Sequence, residues 1–139
     1  YNNESDWQYQ IDNYTKCLRI DPNYGESDGA ITYRNRGLAY AELGNYNDAI
    51  ADYTRAIRID PAVAAVYYNR GITYDGLGNY NDAIVDYTMA IRINPNYASA
   101  YKNRGIAKQD VGLSYCSDYK RACDLGKENC CEWYYRYCR

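Results

Sequence analysis

Small and apolar residues recur every three or four positions in two runs within residues 64–97, and polar residues lie between them. This spacing predicts two amphipathic helices, and Gly78-Asn79 between the runs predicts a tight turn. When the segment is shifted back by 34 positions onto residues 30–63, 22 residues are identical. An internal repeat of this period predicts an all-α solenoid of antiparallel helix pairs.

Glycine and alanine recur where the two helices of a pair must approach each other closely, and a proline follows each pair where the helix must end. We therefore expect leucine at Gly71 or at Ala83 to disrupt the fold. In chain order, these positions are Gly37, Ala49, Ala56 and Pro61 in the first copy, and Gly71, Ala83, Ala90 and Pro95 in the second.

The signature positions of both copies resemble those of the tetratricopeptide repeat family. They are Tyr33, Gly37, Tyr40, Gly44, Tyr46, Ala49, Tyr53, Ala56 and Pro61, and then Tyr67, Gly71, Tyr74, Gly78, Tyr80, Ala83, Tyr87, Ala90 and Pro95. The resemblance implies a right-handed superhelical solenoid of about four repeats. Arg36, Arg70 and Arg104 stand where the family more often has leucine, and we expect their methylenes to be buried and their guanidinium groups to be hydrated.

The whole chain, residues 1–139, reads as a single solenoid domain. Residues 1–29 are a half repeat and a loop, 30–63 and 64–97 are complete repeats, 98–125 are an atypical repeat, and 126–139 form a closing helix. Residues 6–20 align with the second helix of a repeat that ends at Pro22, and residues 23–29 are predicted to be an exposed loop. Ser114 is the predicted N-cap of a helix over residues 114–125.

Composition narrows the function classes. The chain has no histidine, which removes the commonest general base, and no phosphate loop or nucleophile motif is present. Basic and acidic residues are interleaved at a net charge of −2, so neither a nucleic-acid stripe nor a membrane face is predicted. The pairs Asp48–Asp52 and Asp82–Asp86 are interpreted as solvated outward faces. We expect no enzymatic activity, no cofactor and no metal.

The family resemblance implies that the first helices line a concave groove for partner proteins. Asn35, Asn69 and Asn103 form a ladder there, able to bond a peptide backbone or to pair with neighbouring repeats. Ser99 and Asn103 replace the Lys and Arg of the family's two-carboxylate clamp, so that clamp is incomplete. Carried over by position, the groove residues are Arg34, Asn35, Leu38, Tyr68, Asn69, Ile72, Lys102, Asn103 and Ile106.

Five of the six cysteines lie near the C-terminus at heptad spacing, which is two helical turns. A helical hairpin turning at Lys127 brings Cys116 opposite Cys138 and Cys123 opposite Cys131, which predicts two disulfides. A four-thiolate zinc site fits less well, because heptad spacing separates the pairs by about 10 Å. Cys17 and Cys130 remain. They either bridge two chains, or Cys17 is a small buried residue in the place of Ala56.

Cysteine usage favours an oxidising compartment, so we expect an extracytoplasmic or secreted protein. The polar start without methionine fits a trimmed chain, and Asn3 and Asn13 lie in glycosylation sequons. We expect a protein interaction scaffold that self-assembles head to tail into a fibre, in which the closing helix of one copy packs on the N-terminal helix of the next. The alternatives are a monomeric adaptor that binds a partner peptide, and a regulatory fragment of a larger protein.

Overall fold

The computed structural model describes residues 4–21 and 26–139 and shows α-helices without strands in these ranges. The helices are α1 (Glu4–Ile20), α2 (Glu26–Glu42), α3 (Tyr46–Ile59), α4 (Ala64–Gly76), α5 (Tyr80–Ile93), α6 (Ala98–Asp110), α7 (Cys116–Asp124) and α8 (Glu128–Tyr137). Each helix packs against its neighbours in the chain, from α1 on α2 to α7 on α8. The predicted all-α solenoid of helix pairs is confirmed.

The pairs are α2 with α3, α4 with α5, and α6 with α7. The first helices also contact each other, α2 with α4 and α4 with α6, so they lie side by side along one side of the array. We call this side the groove. A surface made of consecutive first helices presents every 34th residue in one row, and the chain can thus repeat one type of side chain along it.

Close packing within each pair depends on glycine. A Cβ atom added at Gly71 would lie 2.7 Å from the Tyr87 ring, and one at Gly37 would lie 2.9 Å from the Tyr53 ring. Both tyrosines are almost completely buried, so their rings have no free space to move into. The predicted role of the small residues is therefore supported by the packing. Ala83 is likewise fully buried.

Tyrosine supplies the large aromatic side chains of the core, because the chain has no phenylalanine. Each buried hydroxyl then needs a partner. The Tyr67 hydroxyl donates to the Pro61 carbonyl at 3.2 Å, and the Tyr87 hydroxyl donates to the Asp75 carboxylate. Oδ1 of Asp75 is buried without a hydrogen-bond partner among the described residues, and burial raises the pKa of this carboxyl.

The arginines that replace the family's leucine are not hydrated as predicted. Nε and Nη2 of Arg70 donate to the two carboxylate oxygens of Asp86 at 2.7 and 2.8 Å, and Nη1 donates to Thr54 in the preceding pair at 2.9 Å. The same three-helix arrangement recurs twice, as Arg36 with Asp52 and Thr15, and as Arg104 with Asp118 and Thr88. We call these three sets the arginine relays. A bidentate bond satisfies a buried carboxylate in fixed geometry, and the third bond ties one repeat to the next.

The relays also correct the interpretation of the aspartate pairs. Asp52 and Asp86 are only 5% and 2% exposed and point inward, whereas Asp48 and Asp82 are exposed as predicted. Residues four apart are offset by about 40° around the helix axis, so one member of each pair can face inward while the other faces solvent. One member lies at the edge of the apolar stripe, where an arginine compensates its charge.

Two predicted boundaries are wrong. Helix α2 begins at Glu26, four residues before the predicted start, and Gly29 is buried within it; residues 22–25, including Pro22, lie outside the described residues. Helix α7 begins at Cys116 after Tyr115, and no side chain caps it, so Ser114 is not its N-cap. Glycine-rich and serine-containing stretches favour loops only weakly, and packing against neighbouring helices overrides that preference.

Candidate functional site: the groove and its C-terminal end

The groove presents apolar side chains to solvent. Ile72 on α4 is 43% exposed and Ile106 on α6 is 40% exposed, while Leu38 in the same row on α2 is partly buried against the first core cluster. Single exposed apolar residues are common, but these two occupy equivalent positions in successive repeats and so belong to one surface. The two isoleucines make this face a candidate contact surface for a partner.

Of the two roles that the sequence left open for the asparagine ladder, pairing between repeats is seen at Asn103. Asn103 donates through Nδ2 to the Tyr68 hydroxyl of the preceding repeat at 3.1 Å, so it pairs within the chain. Oδ1 of Asn35 accepts from the neighbouring Arg34 at 3.4 Å. The Asn69 side chain forms no hydrogen bond with another described residue, and its amide is free for a ligand.

Two cations lie in one row of the groove and are separated by a tyrosine. Arg34 and Lys102 are partly buried, and neither forms a salt bridge within residues 4–21 and 26–139. Between them, Tyr68 packs its ring 4.8 Å from that of Tyr97 and fills the space between α4 and α6. Next to each cation the space stays open, as a cavity of about 240 Å³ at Arg34 and one of about 300 Å³ at Lys102.

The C-terminal cap is a hairpin of α7 and α8. Cys116 and Cys138 lie at disulfide distance with Cα atoms 5.5 Å apart, and Cys123 and Cys131 do so with Cα atoms 4.7 Å apart. These are the two predicted pairs. Within each pair the two sulfurs are bonded to each other, so the four cysteines do not form the four-thiolate zinc site. Groups of three or more metal-ligating side chains are absent from the part of the chain that the structure describes.

Helix α8 occupies the place of a further first helix. The backbone N–H of Cys130 donates to the carbonyl of the N-cap residue three positions earlier, as Val66 does in α4 and Ala100 does in α6. All three residues are buried, at 2%, 3% and 0% exposure. In this register Trp133 follows Asn69 and Asn103 in the groove row, and the groove continues from α6 onto α8.

The remaining cysteines do not fit either prediction. Cys130 is buried beneath the groove, and its sulfur is out of reach for another chain, which argues against the predicted bridge to Cys17. Cys17 is exposed, so it is not a buried counterpart of Ala56. The reason is that α2 covers the other face of α1, through Ile11 and Leu18.

Only one of the two sequon asparagines lies in the described residues. Asn13 is partly buried on α1. Asn3 lies outside the described residues.

Comparisons with known proteins agree with this geometry. The family described as tetratricopeptide repeat matches residues 64–97, and a second family described as TPR repeat matches residues 37–78. The solved structure of the second TPR of Spaghetti (RPAP3) bound to HSP90 peptide SRMEEVD is 34% identical, with a TM-score of 0.67, and covers 69% of this chain and 91% of that one. The chain belongs to the tetratricopeptide repeat family. Its repeats support the predicted role of a protein interaction scaffold, since the similar second TPR of Spaghetti (RPAP3) was solved with a bound peptide.

Other proteins are similar to part of this chain in sequence, and one solved structure is similar to most of it in fold. This tetratricopeptide repeat protein is 36% identical to the Protein SGT1 homolog of Oryza sativa subsp. japonica over 43% of its own length, and 35% identical to Small glutamine-rich tetratricopeptide repeat-containing protein 2 of Saccharomyces cerevisiae over 41%. The chain spans about 15% of the length of each. The crystal structure of MamA, 24% identical, has the same fold, with a TM-score of 0.69 and coverage of 90% of this chain and 91% of that one.

The sequence interpretation missed the open end of the groove. The closing helix, which carries Trp133, was assigned only to self-assembly, and Gln109 and Asn129 were not singled out. The register is visible only once the N-caps are known: Cys130 then follows Lys127 by three positions, as Val66 follows Val63. The shorter connection before α8 hid this register.

None of the described helices is long and apolar enough to span a bilayer.

Proposed function

We propose that the protein is an adaptor whose groove binds an extended acidic segment of a partner protein. The observation that supports this most is the row of Arg34 and Lys102, two partly buried cations without salt bridges in the described chain, beside the exposed Ile72 and Ile106. A peptide that carries both carboxylates and apolar side chains satisfies both sets.

The backbone of such a segment has partners as well. The Asn69 amide can donate to a peptide carbonyl and accept from the next N–H, which holds an extended strand whatever its sequence. TPR domains of Spaghetti (RPAP3), 26% and 34% identical to this chain, were solved with the acidic peptide SRMEEVD. Here Ser99 and Asn103 replace two residues of the family's clamp, so the proposal concerns acidic segments in general and does not extend to that peptide.

A heptapeptide display library selected on the full chain tests the proposal. We expect enriched peptides to be acidic, and their binding in fluorescence anisotropy to weaken at least about tenfold in Arg34→Ala, Asn69→Ala and Lys102→Ala. Lys120→Ala is the matched control, because this lysine is exposed on α7 away from the groove row. Enrichment of no peptide, or binding that all three groove variants retain, refutes the adaptor function.

Head-to-tail assembly into a fibre has weaker support. The exposed Trp133 and Tyr137 do share one face of α8, and the exposed Tyr135 lies on the opposite side of the helix. In the register of α8, however, Tyr135 takes the position of Gly71, where even a Cβ atom would lie 2.7 Å from a packed tyrosine. A second helix docked there with ordinary repeat geometry would clash. Light scattering on the native chain distinguishes an assembled fibre from a monomeric adaptor.

An oxidising, extracytoplasmic location also belongs to the proposal. Two cysteine pairs at bonding distance in one small cap are typical of proteins that fold where thiols are oxidised. Thiol titration of native material should find two free cysteines per chain. Six free thiols would contradict this location.

A further inference from the structure

The cavity at the C-terminal end of the groove has the features of a specificity pocket. It measures about 300 Å³ and lies between α6 and α8, with Ile106 and Lys102 on one wall, Trp133 on the other, and Tyr119 and Cys130 at its base. Trp133 remains 44% exposed and Ile106 remains 40% exposed, so the space between them is accessible. We call this the Trp133 pocket.

Comparison with the preceding repeat shows that this space is open because of the residue at position 102. Between α4 and α6 the equivalent space is filled by Tyr68, which stands at the position of Lys102 and packs on Tyr97 at 4.8 Å between ring centroids. The same fold therefore closes the site with a tyrosine in one repeat and leaves it open with a lysine in the next. The cap disulfides hold α8 against α7 and fix the far wall.

Resting on the proposed groove function, we propose that the Trp133 pocket takes one aromatic or long aliphatic side chain of the acidic partner segment, with a carboxylate two residues away bound by Lys102. The pocket is lined mainly by apolar and aromatic surface, together with the amide side chains of Gln109 and Asn129 and a single charge. That charge, Lys102, is a cation without a salt bridge in the described chain. In an extended strand, residues i and i+2 lie on the same face about 7 Å apart. An apolar residue and an acidic residue at this spacing thus match the pocket and the ammonium group together.

Three labelled peptides test the pairing: GSDGFSG, GSDGASG and GSNGFSG, measured by fluorescence anisotropy against the full oxidised chain. We expect GSDGFSG to bind at least about tenfold more tightly than the alanine peptide, because burial of a phenylalanine ring is lost in the latter. The asparagine peptide should also bind more weakly, and this difference should disappear in Lys102→Ala.

The wall of the pocket is tested by Trp133→Ala and by the milder Ile106→Ala. In both variants the preference for phenylalanine over alanine should fall to about twofold or less. Tyr135→Ala is the matched control, because this tyrosine lies on the same helix, is 57% exposed and does not line the pocket. Circular dichroism midpoints identify any variant that fails to fold, and Ile106→Ala then decides.

The outcomes separate the pocket from the groove. Equal phenylalanine preference in the parent, Trp133→Ala and Ile106→Ala overturns the pocket, even when the display library still enriches acidic peptides. Failure of that library on the parent removes the groove function itself. A phenylalanine preference that does not depend on the aspartate overturns the role given to Lys102 alone.

Discussion

The arginine relays make a strong prediction about stability, which Arg70→Met tests. The substitution keeps an apolar stem of similar length but removes the guanidinium group, and it leaves the Asp86 carboxylate buried with its side chain 3% exposed. Removing one partner of a buried ion pair typically costs about 3 to 5 kcal/mol, because the remaining charge is neither solvated nor paired. The loss of the bond to Thr54 loosens the contact with the preceding repeat in addition.

For a domain of this size, the expected loss lowers the thermal midpoint by about 10 to 20 °C. The measurement is thermal unfolding followed by circular dichroism, together with urea titration to obtain the free energy of unfolding. Lys120→Met is the matched control. The Lys120–Asp124 ion pair is 2.8 Å long, close to the 2.7 Å of Arg70–Asp86, but its side chains are 55% and 45% exposed. Its midpoint should not change measurably.

The double variant Arg70→Met/Asp86→Leu separates charge from packing. Replacing both members of a buried pair with apolar residues is often close to neutral, so the double variant should recover most of the stability lost by Arg70→Met. A midpoint for Arg70→Met equal to that of the parent refutes the relay as a stabilising element. A double variant no more stable than the single one shows that packing, not charge, causes the loss.

Three further predictions concern packing, the cap and pH. Gly71→Leu should destabilise the fold by about 1 to 3 kcal/mol or more in urea titration, because Tyr87 occupies the space, whereas exposed Val85→Leu should be neutral; equal midpoints would contradict the helix register. Reduction of both cap disulfides should lower stability by about 2 to 4 kcal/mol for each bond, and an unchanged midpoint in dithiothreitol would show that they do not hold the cap. Asp75→Asn should stabilise the protein at neutral pH, because burial raises the pKa of the Asp75 carboxyl above its unfolded value of about 3.9. Between the unfolded pKa and the raised folded pKa, the folded protein binds more protons than the unfolded chain, so the parent loses stability as the pH rises through that window. The advantage of the variant should therefore grow with pH in urea titrations from pH 3 to 8. An advantage that is the same at every pH would contradict the raised pKa.

The sequence predicted those features that follow from periodicity. Apolar spacing and the 34-residue repeat were sufficient for the helix pairs, and heptad spacing was sufficient for the cysteine pairing, because a helix fixes which residues share a face. The relays were missed, although Arg36–Asp52 and Arg70–Asp86 have the same separation of 16 residues in both copies. Charged residues were assigned to solvent by type, and only the packing shows that each aspartate has an arginine opposite it.

The open end of the groove was missed for a related reason. The tetratricopeptide signature positions end before α7, so the closing helix was assigned to self-assembly and not to the groove. Whether Trp133 faces a partner helix or the groove depends on the rotation of α8 about its axis. That rotation is set by the cap disulfides and by burial of Cys130. The pattern of apolar and polar residues in α8 does not by itself indicate the rotation.

The relays and the disulfides perform the same task at different places in the array. At three successive junctions a threonine on a second helix accepts from the arginine of the following first helix: Thr15 from Arg36, Thr54 from Arg70, and Thr88 from Arg104. At the last junction the threonine position on α7 is Lys120, and the arginine position on α8 is Tyr134. No relay can form from these two residues, and it is there that both disulfides join α7 to α8. Covalent bonds thus replace the arginine–threonine hydrogen bond at the last junction of the array, and they hold in place the wall of the Trp133 pocket.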